Sequence, residues 1–200
     1  MIGRRSFLRG LAAFPCAGLA APSTFVSEPG ARRGSPAPVP QGYRWVAART
    51  NVPPLLLYGI ALQESAKLFG HRALPWPWTL NVRGTPRRYG NYGQAVADMA
   101  AIVLSGISNV DAGVMQVNWG YHRHRLQSAN RALDPYPNLH IGATILREHY
   151  DATGDWFVAT GRYHAPAHAA RAEAYATSVY RRVARVPGAE LLARARRCRL

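Results

Sequence analysis

The chain has 200 residues, of which 48% are hydrophobic and 18% charged. That length and balance suit one domain with its own core and exclude a wholly disordered chain. The formal charge of +15, from 25 Lys and Arg against 10 Asp and Glu, suits an acidic partner: nucleic acid, anionic lipid headgroups or an anionic polymer. Arg richness also follows from a GC-rich genome, so charge alone selects none of these.

In chain order, Met1 to Ala21 begins with basic residues. An apolar run from Phe7 follows, with small residues at Gly18 and Ala20. This is the pattern of a secretory signal over residues 1–20. Gly3-Arg4-Arg5-Ser6-Phe7-Leu8-Arg9 resembles the twin-arginine variant. Phe14-Pro15 ahead of Cys16 argue against a lipoprotein cysteine. No later segment has the ~18 continuous apolar residues of a spanning helix. The expected mature protein is soluble and periplasmic, without a transmembrane helix, which weakens the case for nucleic acid as the partner. Cys198 is then the only cysteine, so no intrachain disulfide is expected.

Residues 21–42 carry Pro22, Pro29, Pro36, Pro38 and Pro40 and read as a disordered or extended linker. The globular domain is expected over 43–186, with a basic tail over 187–200. No internal repeat is evident. Helix signals dominate the domain. Tyr43 to Arg49 is a short helix. Pro53-Pro54 opens a second one that runs to Leu68, proline being tolerated in a first turn. Gly70 to Gly90, with Trp76, Trp78, Leu80 and Val82 in alternation, is the one place for a short hairpin or extended arm. Tyr92 to Leu104, Asn138 to Tyr150, Trp156 to Tyr163 and Ala167 to Val186 complete an all-α domain, α+β at most.

Glu64 stands out in the second helix. The apolar stripe Leu57, Ile60, Ala61 and Leu68 runs on either side of it. An ionised Glu on a core-facing stripe costs several kcal/mol unless paired, so it tends to raise its pKa and keep its proton. A protonated carboxyl at neutral pH is what a general acid needs. The alternative is a stripe-edge Glu bonded to a buried Arg or capping a helix.

Three segments carry the remaining chemistry. The first is Ala61-Leu62-Gln63-Glu64-Ser65. The second is Ser108-Asn109-Val110-Asp111-Ala112-Gly113-Val114-Met115-Gln116-Val117-Asn118-Trp119. The third is Gly161-Arg162-Tyr163-His164, followed by Glu173, Tyr175, Val179 and Tyr180. Each alone is compatible with an ordinary turn or a satisfied interior residue. In this order and spacing they resemble the catalytic domain of SLT-type lytic transglycosylases, members of the lysozyme-like superfamily. The resemblance covers roughly residues 53–183. The Asn-Val-Asp-Ala-Gly form of the second segment resembles the specialised members that serve conjugation and type IV secretion machines. So does the segment Pro77 to Val82, which contains Asn81. The chain departs from the family where His164 replaces the usual Asn after the tyrosine. It departs again where Ala66-Lys67-Leu68 follow Glu-Ser.

Cleaving a glycosidic bond needs a proton on the leaving oxygen and support for a cationic sugar. Among the acids, only Asp111 is a credible second carboxylate, and anchoring of its loop explains it equally well. The resemblance implies that Glu64 works as the one carboxylate, on peptidoglycan, without metal or other cofactor. The scissile bond would be the β-1,4 link between N-acetylmuramic acid and N-acetylglucosamine, with a 1,6-anhydromuramoyl end as product. It further implies that Ser65 orients Glu64 or contacts the sugar amide. Met115, Gln116 and Asn118 would line the cleft near the acetamido group. Tyr163 would sit close to Glu64 and hold its geometry, with Asp111, His164 and Asn81 in support. Three other readings stand beside this one. A lysozyme-type muramidase would pair Glu64 with Asp111. A non-catalytic peptidoglycan-binding or assembly protein would keep the scaffold alone. A zinc hydrolase would use His122, His124, His164 and His168, whose spacing lacks a metal-binding signature.

Overall fold

The computed structural model describes residues 39–186. The expected leader, most of the linker, the basic tail and Cys198 lie outside the described residues. Within them the architecture is mainly helical, as expected, with short strands gathered to one side. Helices α1 (Gln41–Thr50) and α2 (Pro54–Ser65) come first. Strands β1 (Ala66–Phe69), β2 (Arg72–Pro75), β3 (Thr79–Val82) and β4 (Thr85–Arg88) follow, then α3 (Tyr92–Leu104). Strands β5 (Val110–Ala112) and β6 (Val117–Asn118) lead into α4 (Trp119–Leu126) and α5 (Ala129–Leu133). Helices α6 (Pro135–Thr153), α7 (Trp156–His164) and α8 (Ala169–Val183) close the domain.

All strand pairs are antiparallel. β1 and β2 form a hairpin, and the other four make a sheet in the order β4-β3-β5-β6. This is more strand than the single hairpin expected. The second helix also stops three residues short of the expected Leu68. Ala66 turns extended, with φ −55° and ψ 135°. The Trp76 amide then donates to the Ser65 carbonyl at 3.0 Å. Ala66–Phe69 pairs with Arg72–Pro75 instead of continuing the helix. Leu68, expected on the core stripe, is 69% exposed.

Helices α4 and α5 carry no clear apolar period, and side chains start them. Asn118 Oδ1 accepts from the Tyr121 amide, and Ser128 Oγ from the Arg131 amide. Asp134 and Asp155 cap α6 and α7 in the same way. The core is one cluster centred on α2, from Leu55 to Leu62, with Met99, Met115, Leu133, Leu146 and Val179 around it.

Candidate active site

Glu64 and Ser65 end α2, which is buried on nearly every side because it runs through the middle of the domain. Helix α8 holds one flank. A Cβ added at Gly59 would meet Val183 Cγ2 at 2.1 Å, so the two helices approach closely there. Gln63 Oε1 accepts from Ser178 Oγ and from Arg182 Nε, both at 3.1 Å. These contacts fix the last turn of α2 and so the direction of Glu64.

The Tyr175 hydroxyl, on α8, donates to Glu64 Oε1. Burial pushes the half-buried Glu64 carboxyl up to about 7, against the lowering effect of the Tyr175 bond, and the Asp111 charge adds to the rise. The C-terminal end of α2, with its partial negative charge, also disfavours the carboxylate. Tyr175 is itself raised well above the usual tyrosine range, first by burial and then by the Glu64 charge, so it remains a donor. A carboxyl poised near neutrality can both give a proton and take one back.

The loop after β5 is tied to Ser65, the neighbour of Glu64, and is built from buried polar contacts. Gly113 has φ +80°, and a Cβ there would lie 2.5 Å from Asn138 Cγ. Asn138, fully buried on α6, accepts from the Met115 amide at 2.8 Å. Its own amide donates to the carbonyls of Ala112 (2.8 Å) and Ala132 (2.9 Å). Gln116 sits at φ +47° and donates Nε2 to the carbonyls of Thr79 (3.1 Å) and Gly113 (2.9 Å).

Two expected sugar contacts need correction. Ser65 is fully buried, and its hydroxyl bridges the Val114 carbonyl at 2.8 Å and the Ala61 carbonyl at 3.0 Å. It ties α2 to the loop and has no surface left for a sugar. Met115 is also fully buried, packed where a Cβ on Gly142 would lie 2.7 Å away. Both shape the site from beneath. Tyr163, expected close to Glu64 and holding its geometry, donates its hydroxyl to the Met115 carbonyl at 2.7 Å. It still feels the field of both carboxylates: burial, then Glu64, then Asp111 raise its pKa. The hydroxyl on Glu64 belongs to Tyr175, which the stripe Tyr175, Ala176, Val179 and Val183 turns inward. The inward stripe was the available signal, since a buried tyrosine hydroxyl needs a partner.

Asn81, Asp111 and Asn118 form a polar row, directly opposite one another across β3, β5 and β6. Asn118 Nδ2 donates to Asp111 Oδ1 at 2.8 Å. Asn81 Oδ1 is buried without a donor. Burial holds Asp111 above the usual carboxylate range despite the Asn118 bond. His164 stacks flat on Tyr175, 4.4 Å between ring centres and 2° between planes. Burial, then the Arg171 charge, keeps its imidazole below the usual range. Three other acids lie in surface ion pairs. Asp98, Glu148 and Asp151 pair with Arg87, Arg125 and Arg147.

A mainly helical domain with one acid poised near neutrality, beside an amide-lined loop, has the make-up of a lysozyme-like glycan-cleaving enzyme. Residues 44–179 match the family described as Transglycosylase SLT domain, and the chain belongs to that family. It is therefore a peptidoglycan lytic transglycosylase, acting on a polymer outside the cytoplasm. Neither the curated proteins nor the solved structures hold a match to it. Among the described residues, no helix is long and apolar enough to cross a membrane.

Proposed function

We propose that Glu64 is the sole acid–base group in cleavage of the N-acetylmuramic acid to N-acetylglucosamine bond. Its carboxyl proton passes to the glycosidic oxygen as the C1–O bond breaks. The carbonyl oxygen of the substrate's own acetamido group closes on C1 and carries the positive charge. The Glu64 carboxylate then takes the proton from the C6 hydroxyl while that oxygen displaces the acetamido oxygen at C1. A 1,6-anhydro ring results, Glu64 regains its proton and no water is consumed.

The observation that carries this reading is the Glu64–Tyr175 contact, with the neighbouring Asp111 carboxyl tied to Asn118. Tyr175 holds one carboxyl oxygen and leaves the other for the substrate. Asp111, the one other acid whose charge reaches Glu64, is tied to Asn118 in the polar row across β3, β5 and β6, a structural task for its carboxyl. In this reading Gln116, its Nε2 engaged by the loop, turns its amide oxygen to the acetamido sugar, while Asn118 and Asn81 hold the strands beside it. Tyr163, Ser65 and Met115 set the shape of the loop, and His164 supports Tyr175.

The proposed setting is the periplasm, with local opening of the wall for a conjugation or secretion machine. Support comes from the two segments that carry that finer resemblance, which are neighbours in the fold as β3 and β5. Glu64→Gln tests the site assignment. Turnover of purified sacculi should vanish while circular dichroism and melting stay those of a folded protein. Retained turnover would sink the assignment.

A further inference from the structure

Lys67 is the only lysine among the 25 Lys and Arg residues of the chain. It stands three residues beyond Glu64, a stretch of chain that spans at most about 11 Å. It lies on β1, where the chain departs from the family's usual residues. Its ammonium sits over the Trp76 ring at 4.2 Å and over the Phe69 ring at 5.4 Å. These rings belong to a longer aromatic row. Phe69 and Trp76 are 5.4 Å apart, and Trp76 meets Trp78 edge-on at 4.9 Å.

This row attaches to the active site at two points. At its middle the Trp76 amide holds the carbonyl of Ser65, next to Glu64. At one end, Trp78 leads into Thr79, whose carbonyl accepts from Gly113 N and Gln116 Nε2. Trp76 is fixed through Nε1 to the Tyr89 carbonyl at 2.9 Å. Phe69 keeps 41% of its surface exposed. The ion pairs of the described residues all use arginine. The Lys67 ammonium is thus positioned by ring faces and has no carboxylate partner among the described residues.

We propose that Lys67, seated on Trp76 and Phe69, binds a carboxylate of the glycan strand and sets the enzyme's preference among wall substrates. The inference rests on the peptidoglycan reading of the site. Ring faces suit the apolar face of a sugar, and a compact ammonium suits a carboxylate approached from several directions. Two sources offer that carboxylate. One is the stem peptide. The other is the lactyl group, whose carboxylate is free once the peptide has been removed.

The test compares the wild type with Lys67→Met and Lys67→Arg. Methionine keeps the apolar stem on the rings without the charge, and arginine keeps the charge. Three probes are used: peptide-bearing strands, amidase-stripped strands, and chitohexaose, an uncharged competitor. Lys67→Met should raise KM about threefold to tenfold for one of the two charged substrates, with kcat little changed. It should also flatten the salt dependence of that KM, and Lys67→Arg should restore most of the loss. A rise confined to peptide-bearing strands identifies the stem peptide, and one confined to stripped strands identifies the lactyl group. Unchanged KM for both, or an equal weakening of chitohexaose, overturns the proposal. Products lacking anhydro ends, with the KM pattern intact, would count against the proposed reaction and leave this inference standing.

Discussion

Tyr175 on α8 donates its hydroxyl to Glu64 Oε1 at the end of α2, so the acid is positioned by a helix more than a hundred residues away. The bond favours the charged form of Glu64, and burial opposes it. Burial wins, and Glu64 sits near neutrality. Tyr175→Phe removes the lowering partner alone. The Glu64 pKa should then rise further, moving the alkaline limb of the pH–rate profile upward. Activity at neutral pH should fall about tenfold through loss of positioning. An unmoved limb would show that the hydroxyl does not act on Glu64.

Glu64 should also cost the fold stability at alkaline pH. Its folded pKa of about 7 lies above the ordinary 4.5. Between these values the folded state binds more protons than the unfolded state, so stability falls as pH rises through the window. Glu64→Gln removes the ionisation. The variant should be more stable than the wild type at pH 8, by about 1–3 kcal/mol after allowing for partial solvent access. Near pH 4 the two should match. Urea titrations at both pH values measure the difference, and equal stability at pH 8 would mean that Glu64 is not held protonated by burial.

The loop bonded to Ser65 should depend on Asn138. Asn138→Ala leaves the Met115 amide and the Ala112 and Ala132 carbonyls without their side-chain partner. A loss of about 2–4 kcal/mol is expected in chemical denaturation. Gly113→Ala should cost a similar amount, because φ is +80° and the added carbon would collide with Asn138. A mild effect from both would show that this loop is not held as described.

Asp111→Asn separates the carbohydrate mechanisms. The amide keeps an oxygen able to accept from Asn118 and removes the titratable proton. Activity within about tenfold of the wild type is expected from the one-carboxylate mechanism. A loss comparable to that of Glu64→Gln, in a folded protein, would move the assignment towards the two-carboxylate hydrolase.

Much of this was legible in the sequence. The burial of Glu64 was legible as a charge on an apolar stripe, and the three ordered segments carried the family. Helix α3 followed its own apolar period and starts and ends at Tyr92 and Leu104 as expected. The end of α2 was not legible, because Leu68 continues the stripe of Leu57, Ile60 and Ala61. Only pairing with a strand further along the chain pulls Ala66–Phe69 out of the helix. Motif position located Ser65 and Met115 but not the direction of their side chains, and both point inward. Tyr163 and Tyr175 are two candidates for one task. The choice between them is made by the crossing of α2 and α8, which local pattern does not encode. Asn138 read as a helix residue because its three bonds reach other parts of the chain.

The most direct test of the central claim is the product formed in isotopically labelled water. Intact sacculi digested in water enriched in oxygen-18 should release muropeptides with 1,6-anhydro ends and no incorporated label, as read by mass spectrometry. Reducing-end products carrying one labelled oxygen would show that water, rather than the C6 hydroxyl, completes the reaction, and would contradict a carboxylate working alone.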